Sequence, residues 1–364
     1  MSVTKNYFVY HMKRVLLLIG GGGILSILFM MSAFMLTRYD YRYERIATYS
    51  VAEPGTIMMI VMCLACFLPI LQFYEFKNRR NLDTWFSLPL SRRKIALIHY
   101  AGGAVLITAI SLICTVTGTI MMADQGLKHY SVGYLWLFFL LSTLFALAVY
   151  TFMTFVFIEA NNVFDGASME MMWLFLPICA VYLVILIIGA ITMDDVFDDS
   201  FGFRLAEMIT SPMIFSEYLS DVSGDMINTG YHGESYYAPL ASSDADPSVY
   251  ITVVLIVWGV IAAASVFLLT RSFAKKKTEL VGGVTDSVIG YRFWLPVASV
   301  LMILLTGDNS IIRLFMMGMI FFAYLVYRRG IKTFKKADII FLSVATFFAI
   351  LPIDYIRVLR GFFG

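Results

Sequence analysis

Six long stretches of the sequence contain no Asp, Glu, Lys or Arg, and each approaches the ~20 residues that a helix needs to cross ~30 Å of hydrocarbon. Hydrophobic residues occupy 60% of the 364 positions and charged residues only 14%, against about 25% in a soluble domain. The sequence therefore predicts an all-α polytopic membrane protein. The six runs are Val15 to Thr37, Thr56 to Phe73, Ile95 to Ala123, Tyr130 to Ile158, Met171 to Met193 and Ser248 to Thr270.

Three shorter apolar runs lie near the C-terminus, at Phe293 to Gly307, Leu314 to Tyr327 and Ile339 to Ile353. At ~1.5 Å per residue they reach only ~22 Å without their flanking residues. Such runs either cross with local thinning of the bilayer or form a re-entrant hairpin. We therefore expect residues 293–364 to form a C-terminal membrane extension with about two to three segments.

The basic residues indicate an orientation if the chain crosses at every run and begins in the cytoplasm. Nineteen of the 27 Lys and Arg then lie inside, and 17 of the 25 Asp and Glu lie outside. Cytoplasmic loops are enriched in Lys and Arg, so this asymmetry predicts a cytoplasmic N-terminus. The first run is too long for a signal-peptide core and no small-residue cleavage site follows it, so we expect it to be retained.

Residues 194–247 then form an acidic external insertion between the fifth and sixth spans. Ser211 followed by Pro212 is typical of a helix start, with serine as the cap and proline in the first helical position. We expect two short helices that dip into the outer leaflet. The acidic run at 194–199 is interpreted as a solvated surface and not as a metal site.

Several classes of site are not expected in this chain. It contains no GxxxxGK[ST], GxSxG or HExxH motif, and its four His are dispersed without metal-binding spacing. Cys63 and Cys66 form a CxxC, but they lie inside an apolar run without a soluble redox fold around them, so we interpret them as packing residues. We therefore expect no catalytic, cofactor or metal site. The six runs also carry no ionisable carboxylate or amine, which disfavours ion-coupled transport. The basic residues are scattered among loops, so no nucleic-acid partner is expected.

The loop at 74–94 interrupts the apolar pattern with six Lys and Arg, and it reads YEFKNRRNLDTWFSLPLSRRK. Asn78 or Asn81 can cap a helix there, and Pro89 would end it. One interpretation is a short helix whose Trp85 and Phe86 anchor it in a cleft of a soluble protein. The other is an interfacial helix lying on anionic lipids of the cytoplasmic leaflet. The Leu-Pro-Leu-Ser-Arg break favours the first, because it makes a compact knob.

This loop resembles the cytoplasmic segment of ABC-2 type permeases, the membrane subunits of a class of ABC exporters. Leu88, Pro89, Ser91 and Arg92 match the family's LPxSR pattern at the entry to the third span. The six spans, the external insertion containing a Ser-Pro pair, and the RSFAKKKTELVGG that follows span six agree with it. The resemblance covers residues 1 to about 283.

The resemblance implies a six-span permease core over residues 1–270, with a coupling helix in 74–94 that contacts an ATPase, and a cytoplasmic linker over 271–292. ATP and Mg would be bound by that partner ATPase subunit and not by this chain. A second permease copy or a sister permease would complete the transporter among membrane lipids. The implied ATPase-coupling residues are Arg79, Arg80, Asp83, Trp85, Phe86, Leu88, Pro89, Ser91 and Arg92.

The extended C-terminus resembles permeases of Gram-positive bacteria that act in resistance to antimicrobial peptides and antibiotics and in envelope stress. This implies a bacterial plasma-membrane exporter of an amphipathic or hydrophobic substrate, such as an antimicrobial peptide, an antibiotic or an envelope lipid. Two other classes stay open. One is a membrane sensor or scaffold without transport, which would use residues 194–247 to detect a ligand. The other is a polytopic lipid-modifying enzyme.

Overall fold

The computed structural model describes residues 3–39, 54–78, 87, 89–124, 131–192, 201–227, 246–276, 278–283, 285, 287, 289–305, 310–328 and 334–350. These residues form helices and short connections, and no strand occurs among them. The helices are α1 (Val3–Tyr39), α2 (Pro54–Phe73), α3 (Arg92–Asp124), α4 (Val132–Glu159), α5 (Val163–Thr192), α6 (Phe201–Thr210), α7 (Pro212–Ile227), α8 (Pro247–Lys275), α9 (Tyr291–Leu305), α10 (Ser310–Arg328) and α11 (Lys336–Ile350).

Six of these helices are long and apolar enough to cross a membrane, which confirms the prediction of an all-helical chain with six candidate spans. The candidates are Thr4–Met31, Pro54–Lys77, Arg92–Met121, Val132–Glu159, Val163–Val181 and Pro247–Lys275. The three C-terminal apolar runs also form helices, α9 to α11, but these are not among the six candidates. This make-up is that of a multi-pass membrane protein.

Helix α4 lies at the centre of the bundle and packs against α2, α3, α5, α7 and α8. Its apolar side chains surround the helix without a polar face, and its second half, from Phe145 to Ile158, is almost entirely buried, whereas its first half exposes several apolar side chains. Helix α1 packs beside α3, where Gly22 and Gly23 face Ile110 and Ile113 so closely that a Cβ would clash. Small residues at such contacts let two helix backbones approach.

Helices α6 and α7 form a hairpin that enters the bundle and packs against α2, α4 and α8. The ring of Phe215 lies 4.6 Å from that of Phe145, which is near the middle of α4. Phe145 in turn contacts Trp258 of α8, with ring centroids 5.7 Å apart. The hairpin therefore packs against α4 as far as the middle of that helix.

The two ends of the bundle are chemically different. We call the proximal end the one where α1, α3 and α5 begin and where α2, α4 and α8 end. The opposite, distal end holds the α6–α7 hairpin, where the amide of Ser131, just before α4, donates to the carbonyl of Ile227. At the proximal end, charged side chains that donate to backbone carbonyls join the helices in addition to aromatic packing, and residues 74–78 and 89–94 lie there.

Candidate functional site

The segment after α2 starts with a 3₁₀ turn, Tyr74–Lys77, that is fastened to α1. Arg14 Nη1 donates to Glu75 Oε1 at 3.0 Å, and the Tyr74 hydroxyl donates to the same oxygen at 3.3 Å. The Arg14 side chain is 52% exposed and that of Glu75 is 14% exposed. Solvent screens such a pair, so we expect it to stabilise the fold by only about 0–1 kcal/mol.

Lys77 turns inward from the same 3₁₀ turn and is buried against the end of α4. Its Nζ donates to the carbonyl oxygens of Ile158, at 2.9 Å, and Ala160. The ammonium also lies over the ring of Phe157, 5.1 Å from its centroid. The last carbonyls of a helix have no intrahelical partner and carry the negative end of its dipole, so a buried cation is well placed there.

Lys276 reaches the same two carbonyls from the end of α8. The Nζ atoms of two lysines from distant parts of the sequence therefore share one pair of acceptors. Burial is the main reason that the pKa of Lys276 falls to about 8, because removal from water disfavours its charged form. This position binds the ends of α2, α4 and α8 to one another.

Arg92 holds the C-terminal end of the segment. Its Nη1 donates to the carbonyl oxygen of Lys276 at 2.8 Å, which joins the first residue of α3 to the residue after α8. The carbonyl of Ser91 accepts from the amides of Lys94 and Ile95 and so begins α3. Both ends of the loop between α2 and α3 are thus held at the same place, beside the end of α4.

Aromatic rings and two histidines pack behind this attachment. The rings of Phe73 and Phe76 lie 6.0 Å apart, and both contact Phe273 of α8 and His99 of α3. The ring of His99 is 4.2 Å from that of His11 on α1. This packing holds the 3₁₀ turn against α3 and α8. It therefore fixes the direction in which the chain leaves α2.

Helix α5 begins eight residues before its predicted charge-free run and brings acidic side chains into the bundle. Glu170 is only 5% exposed and lies inside a candidate span. The expectation that the six spans carry no carboxylate is therefore wrong at Asp165 and Glu170, which both lie in the span Val163–Val181. A hydropathy run ends at any charge, whereas the helix continues through it because neighbouring helices cover the side chain.

The linker after α8 folds back onto the α4–α5 turn. The amide of Gly282 donates to the carbonyl of Asn161, and Gly282 adopts φ 81°, a conformation that favours glycine. The Thr285 amide and hydroxyl both donate to Asp165 Oδ2 at 2.7 Å. These contacts attach the linker, through Gly282 and Thr285, to the α4–α5 turn and the proximal end of α5.

The structure describes some of the sequence-predicted site residues and not others. Ser91 and Arg92 belong to the proximal attachment, and Pro89 is exposed next to them. Ser211 and Pro212 lie in the hairpin of the distal end, where α7 begins at Pro212 and the Ile214 amide donates to Ser211 Oγ at 3.4 Å. The remaining coupling residues lie outside the described residues: Arg79, Arg80, Asp83, Trp85, Phe86 and Leu88.

Sequence reasoning missed Lys276 and Asp165, which the structure brings into the attachment. Lys276 is the second of three consecutive lysines, and nothing in a basic run after a span separates a buried lysine from a solvated one. Asp165 follows Asn162, whose Oδ1 accepts from the Asp165 amide at 2.7 Å. That spacing is a helix-start signal, and it could have extended the predicted start of α5.

The arrangement is suited to transmitting movement between helices. No group of three His, Cys, Asp or Glu side chains that could hold a metal ion occurs within the described part of the chain. Comparison of the sequence with protein-family models finds no match, and comparison with curated proteins finds none either. The residues of the proximal end, and the way they attach the 74–94 loop, are therefore the basis for inferring a function.

Proposed function

We propose that the chain is the membrane-spanning permease subunit of an ATP-driven ABC exporter, with ATP hydrolysed by a separate subunit. The observation that carries the proposal is the attachment of the 74–94 loop at both of its ends. Lys77 fastens the loop's start to α4, and Arg92 fastens its end to the residue after α8. A force applied to the loop therefore acts on α2, α3, α4 and α8 together.

The direction of the force follows from the charge distribution. The proximal end carries the positive-inside signature, so in this proposal it faces the cytoplasm, where an ATPase is available. Closure of the ATPase would push the loop, and the shared contacts at Ile158 and Ala160 would pass the push to the bundle. ATP and Mg belong to the ATPase subunit in this scheme.

The distal hairpin gives the exporter its exit side. Phe215 reaches Phe145 near the centre of α4, so a movement of α4 changes the packing under the hairpin. An amphipathic or hydrophobic substrate, such as a peptide, an antibiotic or an envelope lipid, suits a bundle with exposed apolar helix faces. A second permease copy or a sister permease would complete the pathway in a bacterial plasma membrane.

The experiment that tests the proposal is co-purification with an ATPase in mild detergent. Trp85→Ala should weaken ATPase retention about thirtyfold, because truncating an aromatic interface anchor commonly costs about 2 kcal/mol. Trp136→Ala is the matched control, since Trp136 is a half-exposed tryptophan at the distal start of α4. It should retain the ATPase as the parent chain does.

Two results would contradict the proposal. One is a folded, monodisperse parent chain that retains no ATP-hydrolysing protein when purified from the cells that express it naturally. The other is labelling of a cysteine at position 79 by a membrane-impermeant thiol reagent in intact cells, which would place the loop outside. Equal retention by Trp85→Ala and Trp136→Ala would remove Trp85 as the anchor.

A further inference from the structure

A cavity of about 690 Å³ lies at the proximal end, between the ends of α4 and α8 and the linker that follows α8. Leu268, Leu280 and Ile289 give it apolar walls, and Arg271 and Lys275 contribute two cations from the last turns of α8. A volume of this size is typical of sites for small amphiphilic ligands. The proposed transport function does not use this cavity.

The charge of the lining is positive. Arg271, Lys275 and Lys276 face a single carboxylate, that of Glu159, among the lining side chains that the structure describes. Lys276 is engaged by the carbonyls at the end of α4, whereas Arg271 and Lys275 are exposed at the mouth. The cavity therefore offers an anion two solvent-facing cations.

The cations at the mouth match an acidic headgroup. Phosphate oxygens accept charge-assisted hydrogen bonds from Arg and Lys side chains, and such bonds are roughly twice as strong as neutral ones. Arg271 and Lys275 are therefore suited to a ligand that carries phosphate oxygens.

An apolar stripe on α8 leads into the cavity. Ile256, Val260 and Phe267 are 60%, 66% and 64% exposed, and with Arg271 they follow one another at spacings of four, seven and four residues. This spacing puts them on one face of the helix. The stripe ends at the cavity mouth, so an extended apolar chain can lie along α8 while a charged headgroup occupies the cavity.

We propose that this cavity and stripe form a binding site for an anionic glycerophospholipid of the leaflet at the proximal end. The headgroup phosphate is held by Arg271 and Lys275, and an acyl chain lies on Ile256, Val260 and Phe267. A second copy of the chain is a poorer occupant, because its own surface would have to neutralise both cations at the end of an otherwise apolar contact. The charge pattern selects an acidic lipid over a zwitterionic one.

Native mass spectrometry of the full chain in mild detergent tests the site directly. Titration with palmitoyl-oleoyl phosphatidylglycerol should give a retained lipid at concentrations where palmitoyl-oleoyl phosphatidylcholine gives none. Arg271→Gln/Lys275→Gln should weaken retention about thirtyfold, since a Lys or Arg near an anionic lipid surface contributes about a factor of five to six. Arg292→Gln/Lys336→Gln is the matched control, because both residues are exposed and line no part of the cavity.

A second variant separates the cavity from general charge attraction. Ser272→Trp fills the cavity and keeps all cations, so it should also lose the phosphatidylglycerol. Retention by this variant, or equal weakening in both double Gln variants, would overturn the site. Displacement of the lipid by millimolar inorganic phosphate would show that free phosphate is the ligand. A dimer that disappears in Val260→Ser/Phe267→Ser, with lipid retention unchanged, would assign the stripe to a second copy and also overturn the proposal.

Discussion

At the proximal end, α2, α3, α4 and α8 meet through hydrogen bonds from Lys77, Arg92 and Lys276 to backbone carbonyls, in addition to the ring contacts around Phe76 and Phe273. At the distal end, α7 meets α4 and α8 through rings, with Phe215 against Phe145 and Tyr218 against Tyr250. The first kind of contact is directional and depends on individual donors and acceptors. The second depends on buried area and shape, and it tolerates small displacements that would break a hydrogen bond.

This difference indicates how the two ends of the bundle would respond to a movement of the helices. A rigid attachment at the proximal end keeps the helix ends together, while aromatic packing at the distal end can adjust as the helices tilt. Removing side chains should therefore have different signatures at the two ends. The distal end should lose stability in proportion to the area removed, and the proximal end should show strong coupling between pairs of residues.

The largest effect is expected for Phe215→Ala at the distal end. Phe215 is fully buried, and deleting a buried phenylalanine side chain typically lowers the free energy of unfolding by about 3–5 kcal/mol. Unfolding in mixed detergent micelles measures it. Met213→Ala on the same helix is the control, because Met213 is 37% exposed and should cost far less. Equal losses would show that the hairpin is not packed into the bundle.

A smaller effect, with a different signature, is expected for the two lysines of the proximal end. Lys77→Met or Lys276→Met alone leaves one ammonium on the Ile158 and Ala160 carbonyls, so each should cost under about 1 kcal/mol. The double variant leaves both carbonyls without that donor and should cost about 2–3 kcal/mol. Strictly additive losses in this cycle of unfolding measurements would contradict a shared site.

The free energy of unfolding should also depend on pH through Lys276 at the proximal end. A lysine in the unfolded chain keeps its proton to near pH 10.5, whereas folded Lys276 releases it near 8. Between these values the unfolded state binds more protons, so the free energy of unfolding should rise with pH, by at most about 1.4 kcal/mol per unit for one proton. Below pH 8 both states are protonated and the destabilisation is complete.

Lys276→Met should reduce this rise without abolishing it, because Lys77 stays buried on the same two carbonyls, and Lys336→Met, which removes an exposed lysine, should leave it unchanged. Melting temperatures of the three proteins between pH 7.5 and about 10 measure the effect, since that window covers the shift. An equally steep rise in Lys276→Met would assign it to another group. A stability that falls with pH in the parent alone would reverse the sign expected from burial.

The smallest effect is expected for Arg14→Gln. The Arg14–Glu75 pair is the most exposed contact of the proximal attachment, so its loss should cost about 0–1 kcal/mol and should matter less at high salt. Unfolding at low and high ionic strength checks both points. A loss above about 2 kcal/mol, insensitive to salt, would mean that the pair is shielded from solvent.

The number and order of the spans could be predicted because hydropathy reports the one property that a bilayer demands of a helix. The helix ends could not, since α5 starts at Val163 and carries Glu170 inside the bundle where the apolar run begins only at Met171. A charge ends a hydropathy run, but tertiary contacts decide whether the helix stops. The packing of α7 against the middle of α4 could not be predicted either, because the contact of Phe215 with Phe145 joins residues seventy positions apart.

Part of the candidate site could be read from the sequence and part could not. The basic loop and the residues Ser91 and Arg92 stood out by their place between two spans. Lys77 and Lys276 look like ordinary positive flanks of a membrane helix, and only the packing reveals that they meet on one pair of carbonyls. Local patterns carry no information on which distant residues share an acceptor.

The hydrogen bonds of Asp165 have a consequence for how this chain can be shortened. Its carboxylate accepts from the amide and hydroxyl of Thr285 and from the hydroxyl of Tyr291, all of which lie beyond the sixth span. A fragment cut after Lys275 would lose all three donors together with the part of the chain that covers the carboxylate. The linker of residues 271–292 is thus part of the packing around α5, and a six-span version of this protein that ends with α8 would expose Asp165 to solvent.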